Sequence, residues 1–340
     1  MREIIIILFT PFIIFFINYF FLKNRLIPNY SGNNHQKFFN NKNIPLTGGI
    51  LLCMVFSLIL TTEQNILKFF ILLIFLVGFF SDINFLSSVK YRFFFQLIII
   101  TFFIYFTQSN IQSIRIDFLD KLLQNFWISS LFTTICFLIL INGTNFIDGL
   151  NGLVISYFLI ILFIIYRLET INLFIFRNLD IVILIISLIT LLCLNFSNYL
   201  YLGDSGSYLI GFLLGYLLIL TYKSISNVSP YFIALLLWYP AFEILFTIIR
   251  KLNFKKSPFK PDNNHFHHQL FFFIDKKFKF NKIASNNISS VLIITYNLII
   301  FNISLININF SVFHISLIFF NIGVYLVIYF WLTKFRNNNY

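Results

Sequence analysis

A succession of long apolar runs constrains this chain more than any other feature. About eleven runs follow one another, each close to the roughly 20 residues that a bilayer-spanning α-helix needs. The chain is 59% hydrophobic and only 11% charged, whereas the surface of a soluble protein carries more charge. We therefore predict an all-α, polytopic integral membrane protein. The predicted spans are approximately 4–22, 47–61, 65–81, 93–107, 126–143, 152–168, 179–195, 207–222, 231–250, 286–305 and 311–333.

The Lys and Arg residues predict the orientation of these spans. The loops of one side hold 17 of the 24 Lys and Arg residues, and the more positive side of a membrane protein faces the cytoplasm. We therefore expect residues 1–340 to form one membrane domain with its N-terminus outside and its C-terminus inside. The predicted cytoplasmic loops are about 23–46, 82–92, 144–151, 196–206 and 250–285.

On the opposite side, the loop at 108–125 alternates apolar and charged residues from Ile114 to Phe118. Strict alternation is typical of a strand with one exposed face. We predict a small β-hairpin or interfacial strand there, and nothing in its composition suggests chemistry.

Residues that can carry chemistry collect at the cytoplasmic ends of different spans. The orientation was derived from Lys and Arg alone, so the positions of the acids and histidines test it independently. Their convergence on one face predicts a single site at the membrane edge. These residues are Asp82, Asp148, Asp204, His265, His267 and His268.

The most unusual of these stretches is Asn142–Leu153, which reads N-G-T-N-F-I-D-G-L-N-G-L between two apolar runs. If the helix continues through it, three-residue steps place Asn142, Asn145 and Asp148 on one face. Amide and carboxylate side chains at a membrane edge are costly unless they bind something. The alternative is a polar turn between helices, in which these side chains serve as caps.

A second stretch, G-D-S-G-S at Gly203–Ser207, opens the next span. Glycines beside Asp204 suit a tight turn into a helix N-terminus, which is a natural site for phosphate. Asp204 is then free to hold Mg²⁺; the alternative is an ordinary turn with a capping residue. Gly211 and Gly215, at four-residue steps after Ser207, predict a closely packed helix face.

The histidines lie in the most basic loop, as H-F-H-H from His265 to His268. A zinc site lacks a Cys or Glu partner in this loop, and no H-E-x-x-H occurs in the chain. Histidines and lysines facing a membrane are better suited to phosphates, although a loop attracted to anionic lipid headgroups also explains the lysines. Nearby, Glu243 and Arg250 are predicted to form a buried pair with a structural or loop-positioning role.

The end of the third span reads Ser81-Asp82 and is followed by Lys90 and Arg92. Asp82 is a candidate second carboxylate near a cation, or a group that orients an attacking oxygen. Lys90 and Arg92 are suited to hold a phosphate. Anchoring of the fourth span by positive charge also accounts for the two cations, but not for Asp82.

In this order, these blocks resemble the polyprenyl-phosphate N-acetylhexosamine-1-phosphate transferases of glycosyltransferase family 4. The histidine pattern and the entry P-L-T-G-G at Pro45–Gly49 look closer to the GlcNAc-1-phosphate branch than to the muramoyl-pentapeptide branch. The resemblance covers nearly the whole chain. The other blocks are Gly78–Gln96, Asn142–Leu153, Gly203–Ser207, Pro240–Arg250 and Pro261–Leu270.

The resemblance implies transfer of a sugar-1-phosphate, by default GlcNAc-1-phosphate, from a UDP-N-acetylhexosamine to undecaprenyl phosphate, with release of UMP. It implies Mg²⁺ as cofactor, Mn²⁺ as its substitute, and a place in the bacterial cytoplasmic membrane, where the product initiates a cell-surface polysaccharide such as O-antigen. The expected partners are the UDP-sugar, the lipid carrier and bilayer lipids, and no nucleic acid is expected to bind. The sequence is compatible with both a monomer and a homodimer. The alternatives are the muramoyl-pentapeptide-phosphate transferase of peptidoglycan synthesis and a non-enzymatic transporter of lipid-linked sugars, although transporters usually place functional charge near the bilayer midplane.

The resemblance also implies roles for individual residues. Asp204 and Asp148 would hold the metal, and Asp82 would lie near the lipid phosphate as a base or orienting group. The expected catalytic residues are Asp82, Asp148, Asp204 and His267. The expected substrate-binding residues are Lys42, Arg92, Asn142, Asn145, Asn151, Gly203, Ser207, His265 and His268.

Two positions depart from the family pattern, which usually has Asp where this chain has Ser81 and Asn151. The loss of an Asp at Ser81 weakens the hypothesis that a pair of Asp residues is the general base. A phosphate monoester is already at least singly ionised near neutral pH, since its second pKa is about 6. The reaction therefore does not require a dedicated base.

Overall fold

The computed structural model describes residues 2–27, 44–60, 64–168, 178–225, 227–257 and 262–338. Within these ranges the chain forms fourteen α-helices, which confirms the predicted all-α class. They are α1 Arg2–Lys23, α2 Gly48–Ile59, α3 Asn65–Asp82, α4 Val89–Thr107, α5 Asp117–Leu123, α6 Phe126–Ile147, α7 Leu153–Arg167, α8 Asn178–Phe196, α9 Gly203–Ser224, α10 Pro230–Leu236, α11 Trp238–Asn253, α12 Phe266–Phe278, α13 Lys282–Ser304 and α14 Ser311–Asn338.

The helices account for the predicted membrane spans. In the described residues, six helices (α3, α4, α6, α9, α13 and α14) are long and apolar enough to cross a bilayer, and α10 with α11 makes a seventh if the pair is one span. Four shorter apolar helices lie at the remaining predicted spans. The protein is therefore a multi-pass membrane protein.

Two predicted elements differ from the structure. Residues 231–250 were predicted as one continuous span, but α10 and α11 meet at an angle of 73°. Pro240 lies in the first turn of α11. A proline has no N–H to donate, which a helix tolerates in its first turn but not in its interior. The strand predicted within 108–125 does not form: the segment is irregular up to Ile116 and enters the short helix α5 at Asp117. The Asp120 carboxylate accepts hydrogen bonds from Ile114 N (2.7 Å) and Ser113 Oγ (2.7 Å) and folds the segment into a turn.

Helix α9 is the centre of the bundle. In its most apolar 18 residues 83% are buried, compared with 22% in α4 and α14. The predicted glycine face is confirmed: a Cβ on Gly211 would lie 2.4 Å from Thr144 Oγ1, and one on Gly215 would lie 2.7 Å from Phe137. These glycines bring α6 against α9, and the end of α6 lies beside the first turn of α9.

Candidate active site

Asp204, the second residue of α9, is where three other helices converge. Its Oδ2 accepts a hydrogen bond from Ser81 Oγ on α3 at 2.5 Å. The same oxygen forms an ion pair with the Arg92 guanidinium on α4. Its Oδ1 accepts a hydrogen bond from Asn145 Nδ2 on α6 at 2.7 Å. The Asp204 side chain is still 27% exposed, so this carboxylate is both fixed and accessible.

Asp82, the last residue of α3, caps the N-terminus of α9. It accepts hydrogen bonds from the backbone N–H of Asp204 (2.7 Å), the N–H of Ser205 (3.1 Å) and Ser205 Oγ (2.6 Å). Gly203 adopts a φ of +76°, which starts the tight turn predicted from the sequence. We expected this helix N-terminus to be open to a phosphate, but two of its N–H groups are donated to Asp82.

Asp148 follows the last residue of α6 and contributes a third carboxyl group. Burial, together with the carboxylates of Asp204 and Asp82, raises its pKa well above the ordinary value. In the part of the chain that the structure describes, its carboxyl group makes no hydrogen bond. A divalent cation beside Asp148 would offset the repulsion among these three carboxyl groups, of which Asp204 pairs with Arg92.

Two of these carboxylates are of the kind that would hold Mg²⁺. No three His, Cys, Asp or Glu side chains among the described residues are arranged to enclose a metal ion. Mg²⁺ is usually held by one or two carboxylates, with water and substrate phosphates filling the other positions. Asp204 and Asp148 would supply such a pair of oxygen ligands.

The two asparagines of α6 have different surroundings. Asn145 donates to Ser207 Oγ at 3.0 Å as well as to Asp204, so both Asn145 and Ser207 belong to the cluster. Asn142, one turn earlier, donates to Gln96 Oε1 and to the carbonyl of Leu138, both at 2.8 Å. Asn142 therefore joins α6 to α4 beside the cluster.

The histidine segment is held from behind by Glu243, which is fully buried on α11. Its carboxylate accepts hydrogen bonds from His265 Nδ1 (3.0 Å), Phe266 N (3.2 Å) and Tyr325 Oη (2.7 Å). The His265 tautomer with its hydrogen on Nδ1 fits this contact, since a carboxylate oxygen accepts.

The predicted pairing of Glu243 with Arg250 is wrong. Arg250 instead pairs with Asp262 at 2.5 Å. Residues seven positions apart are separated by about 10 Å along a helix axis, which is too far for direct contact. The hydrogen bonds from His265 and Phe266 to Glu243 are consistent with the predicted loop-positioning role of Glu243.

His267 and His268 pack against the segment that carries Asp148. A Cβ on Gly149 would lie 2.3 Å from His267 Nε2 and 2.7 Å from His268 Cε1. His267 is fully buried, and neither ring nitrogen has a hydrogen-bond partner among the described residues. Burial, with smaller contributions from His268 and His265, lowers the His267 pKa well below its ordinary value, so this ring is a neutral imidazole.

Asn151, a predicted substrate-binding residue, makes its hydrogen bonds outside the cluster. Asn151 is only 5% exposed, and its side chain donates to Asn198 Oδ1 at 2.8 Å while its backbone N–H donates to Asn286 Oδ1 at 2.7 Å. It therefore joins the start of α7 to α8 and α13. Lys42 lies outside the described residues.

The sequence missed two residues that hold the site in place. Ser81 stood out only as a departure from a family pattern, yet its hydroxyl also accepts a hydrogen bond from Arg92 at 2.6 Å. Tyr325 lies in the middle of the last apolar helix, where no local pattern distinguishes it from the aromatic residues that face lipid. Only the packing of α14 on α11 and α12 identifies it.

A protein-family model matches the part of the chain that carries most of this site. The model for glycosyl transferase family 4 matches residues 65–222, which include Ser81–Asp82, Asn142–Leu153 and Gly203–Ser207. The histidine segment lies beyond the matched region.

Three curated relatives share parts of the chain. The phospho-N-acetylmuramoyl-pentapeptide-transferase of Prochlorococcus marinus is 30% identical over 274 residues, 71% of this chain and 74% of that protein. A probable undecaprenyl-phosphate N-acetylglucosaminyl 1-phosphate transferase of Bacillus subtilis is 28% identical over 200 residues, 56% of this chain and 54% of that protein. An undecaprenyl-phosphate alpha-N-acetylglucosaminyl 1-phosphate transferase of Thermotoga maritima is 31% identical over 142 residues, 42% of this chain and 43% of that protein.

The chain thus matches only about half the length of the Bacillus and Thermotoga proteins. The match to the Prochlorococcus protein, in contrast, extends over most of both chains. It is consistent with the matched family model and with the multi-pass helical fold. This protein belongs to glycosyl transferase family 4.

Proposed function

We propose that this protein transfers GlcNAc-1-phosphate from UDP-GlcNAc, or from another UDP-N-acetylhexosamine, to undecaprenyl phosphate and releases UMP. The observation that carries the proposal is the convergence of α3, α4 and α6 on Asp204 at the first turn of α9. The names of the Bacillus and Thermotoga relatives support a polyprenyl-phosphate acceptor and GlcNAc as the sugar. The clustering of Lys and Arg at the same end of the spans supports a site on the cytoplasmic face of a bacterial inner membrane.

The reaction joins an apolar substrate to a soluble one. An oxygen of the lipid phosphate attacks the sugar-bearing phosphorus of the UDP-sugar, the bond from that phosphorus to the bridging oxygen breaks, and UMP leaves with that oxygen. Such transfers depend on positioning and on neutralising the spread negative charge. A site at the end of membrane helices allows the lipid to stay in the bilayer while its phosphate meets a soluble nucleotide sugar.

Asp204 and Asp148 are the residues that would hold Mg²⁺, which, when bound, neutralises charge on the diphosphate. Arg92 adds a fixed guanidinium beside Asp204. His267 and His268, packed on Gly149 next to Asp148, would donate hydrogen bonds to the diphosphate. A lipid phosphate is already at least singly ionised near neutral pH, which fits a site with Ser81 in place of an Asp.

The test uses purified protein with undecaprenyl phosphate, Mg²⁺ and a panel of UDP-sugars, and it measures UMP. We expect UMP release with UDP-GlcNAc, and we expect Asp204→Asn to abolish it, because the amide keeps the shape but loses the charge. Asp117→Asn, a change of the same size at an exposed residue in the first turn of α5, is the matched control. Normal turnover in Asp204→Asn would refute the assignment of this site.

The Prochlorococcus relative supports a second donor, UDP-N-acetylmuramoyl-pentapeptide. The same panel separates the two, because the acceptor and the released UMP are common to both. Release of UMP only with the muramoyl-pentapeptide donor would replace the sugar in our proposal while leaving the site and chemistry unchanged.

A further inference from the structure

We propose that Asp82 is a positioning residue that fixes Asp204 through the backbone of α9, and that it does not act on the substrate. This inference rests on the proposed transfer reaction, and it replaces the predicted role of Asp82 as a base or orienting group for the lipid phosphate. It follows from how the neighbours Ser81 and Asp82 divide their contacts.

Both oxygens of the Asp82 carboxylate are used. Oδ1 accepts from the N–H of Asp204, and Oδ2 accepts from the N–H and the hydroxyl of Ser205. The first N–H groups of a helix have no partner within the helix, and the helix dipole favours a negative charge beside them. An aspartate at this position is therefore a strong helix cap, supplied here by another helix.

The space around this carboxylate is closed. Asp82 is only 8% exposed. A Cβ on Gly203 would lie 2.7 Å from Asp82 Oδ2, and a Cβ on Gly78 would lie 2.3 Å from Ser205 Cα. The backbones of α3 and α9 therefore meet around the carboxylate, and a substrate phosphate cannot reach its oxygens without separating the two helices.

The chemistry of a general base conflicts with this arrangement. A base needs an oxygen within hydrogen-bond reach of the proton that it accepts. Both oxygens of Asp82 are already occupied by donors of α9, so neither lies free to meet a substrate proton.

Ser81, by contrast, donates to the side chain of Asp204. The two consecutive residues at the end of α3 thus hold different parts of one aspartate, Ser81 its carboxylate and Asp82 its backbone. Asp204 is thereby fixed in both position and direction relative to α3.

The test compares Asp82→Asn with Asp82→Ala in the full-length protein. Asn keeps one acceptor oxygen for the N–H of Asp204, and the Ser205 hydroxyl can rotate to accept from the new amide group, while the Ser205 N–H loses its acceptor. We expect Asp82→Asn to release UMP within about tenfold of the wild-type rate, the scale of a weakened helix cap. We expect Asp82→Ala to be at least about a hundredfold slower, since a displacement of about 1 Å has that effect on a reacting group.

Two readouts separate a positioning role from a chemical one. The pH–rate profile of Asp82→Asn should keep both limbs of the wild-type profile, and hydrogen exchange of the Asp204 and Ser205 amides should be about tenfold faster in Asp82→Ala than in Asp82→Asn. If Asn is as inactive as Ala while both keep wild-type exchange, the carboxylate acts in the chemistry and our inference is overturned.

Failure of the proposed function gives a different pattern. In that case the wild-type protein releases no UMP with any donor. The exchange measurement needs no turnover, so it still tests the cap: equal exchange in the two variants would overturn the positioning role.

Discussion

The buried carboxylate of Glu243 offers a sharp test of how the histidine segment is held. Three donors, His265 Nδ1, Phe266 N and Tyr325 Oη, converge on it at 2.7 to 3.2 Å. Glu243→Ala leaves these donors without an acceptor in a buried environment. We expect residues 262–269 to lose their fixed position while the bundle stays folded.

The size of the effect follows from the number of bonds. A buried donor that loses its partner costs roughly 1–3 kcal/mol. Partial relaxation of three such donors gives a loss of about 3–6 kcal/mol of local stability for Glu243→Ala. Glu243→Gln keeps an acceptor for His265 and Phe266, and the Tyr325 hydroxyl can turn to accept from the amide, so we expect a loss of about 1–2 kcal/mol.

Hydrogen exchange measured by mass spectrometry reports this loss directly. Each 1.4 kcal/mol corresponds to about a tenfold change in an equilibrium constant. Exchange of the 262–269 amides should therefore be about tenfold faster in Glu243→Gln and at least about a hundredfold faster in Glu243→Ala. Tyr296→Phe is the matched control, because it removes a hydrogen bond of 2.6 Å to Asn321, also on α14, that does not involve the histidine segment.

Wild-type exchange of this segment in Glu243→Ala would refute the reasoning. It would mean that other contacts of the segment, such as the hydrogen bond from Tyr329 Oη to the Asn264 carbonyl at 3.0 Å, are sufficient by themselves. Faster exchange throughout the bundle in Tyr296→Phe would show instead that α14 as a whole, and not Glu243, controls the segment.

Two further predictions concern the segment between the carboxylates and the histidines. The raised pKa of Asp148 means that the folded protein binds a proton here more tightly than the unfolded chain, so metal-free stability falls as pH rises from the ordinary carboxyl pKa toward the raised one. Asp148→Asn should lessen this fall and raise the unfolding temperature in a chelator near neutral pH while stopping UMP release; an unchanged pH dependence would contradict it. Gly149→Ala should lower UMP release at least about tenfold, because its Cβ displaces the His267 and His268 rings, whereas Gly323→Ala, with nothing within 4 Å of its Cβ, should leave release unchanged.

The membrane helices could be predicted from the sequence because the length of an apolar run reflects the thickness of the bilayer. The same reasoning missed the bend between α10 and α11, since the apolar run continues through it. Pro240 was the available signal, and its place in the first turn of α11 marks where a new helix begins. The strand predicted around Arg115 failed because alternation over five residues is also compatible with a turn fixed by one carboxylate.

The positions of the site residues could be predicted, but their partners could not. Because successive spans cross the membrane in opposite directions, Asp82, Asp148 and Asp204 lie on the same side of the membrane. This holds regardless of which helices pack against each other. Which donor each carboxylate meets depends on helix packing, which one sequence does not reveal. The pairing of Glu243 with Arg250 failed for this reason: it considered a single helix, whereas the partners of Glu243 lie on α12 and α14.

The short polar stretch at the end of α6 connects two separately supported parts of the site. On one side, Asn145 donates to Asp204, which α3 and α4 hold at the start of α9. On the other side, Gly149 lies against the ring of His267, in a segment that Glu243 and Tyr325 support. Only three residues lie between Asn145 and Gly149, so the distance between the carboxylates and the imidazoles is set by one turn at the end of α6. These two contacts explain why Asn145 and Gly149 interrupt the apolar sequence at this point.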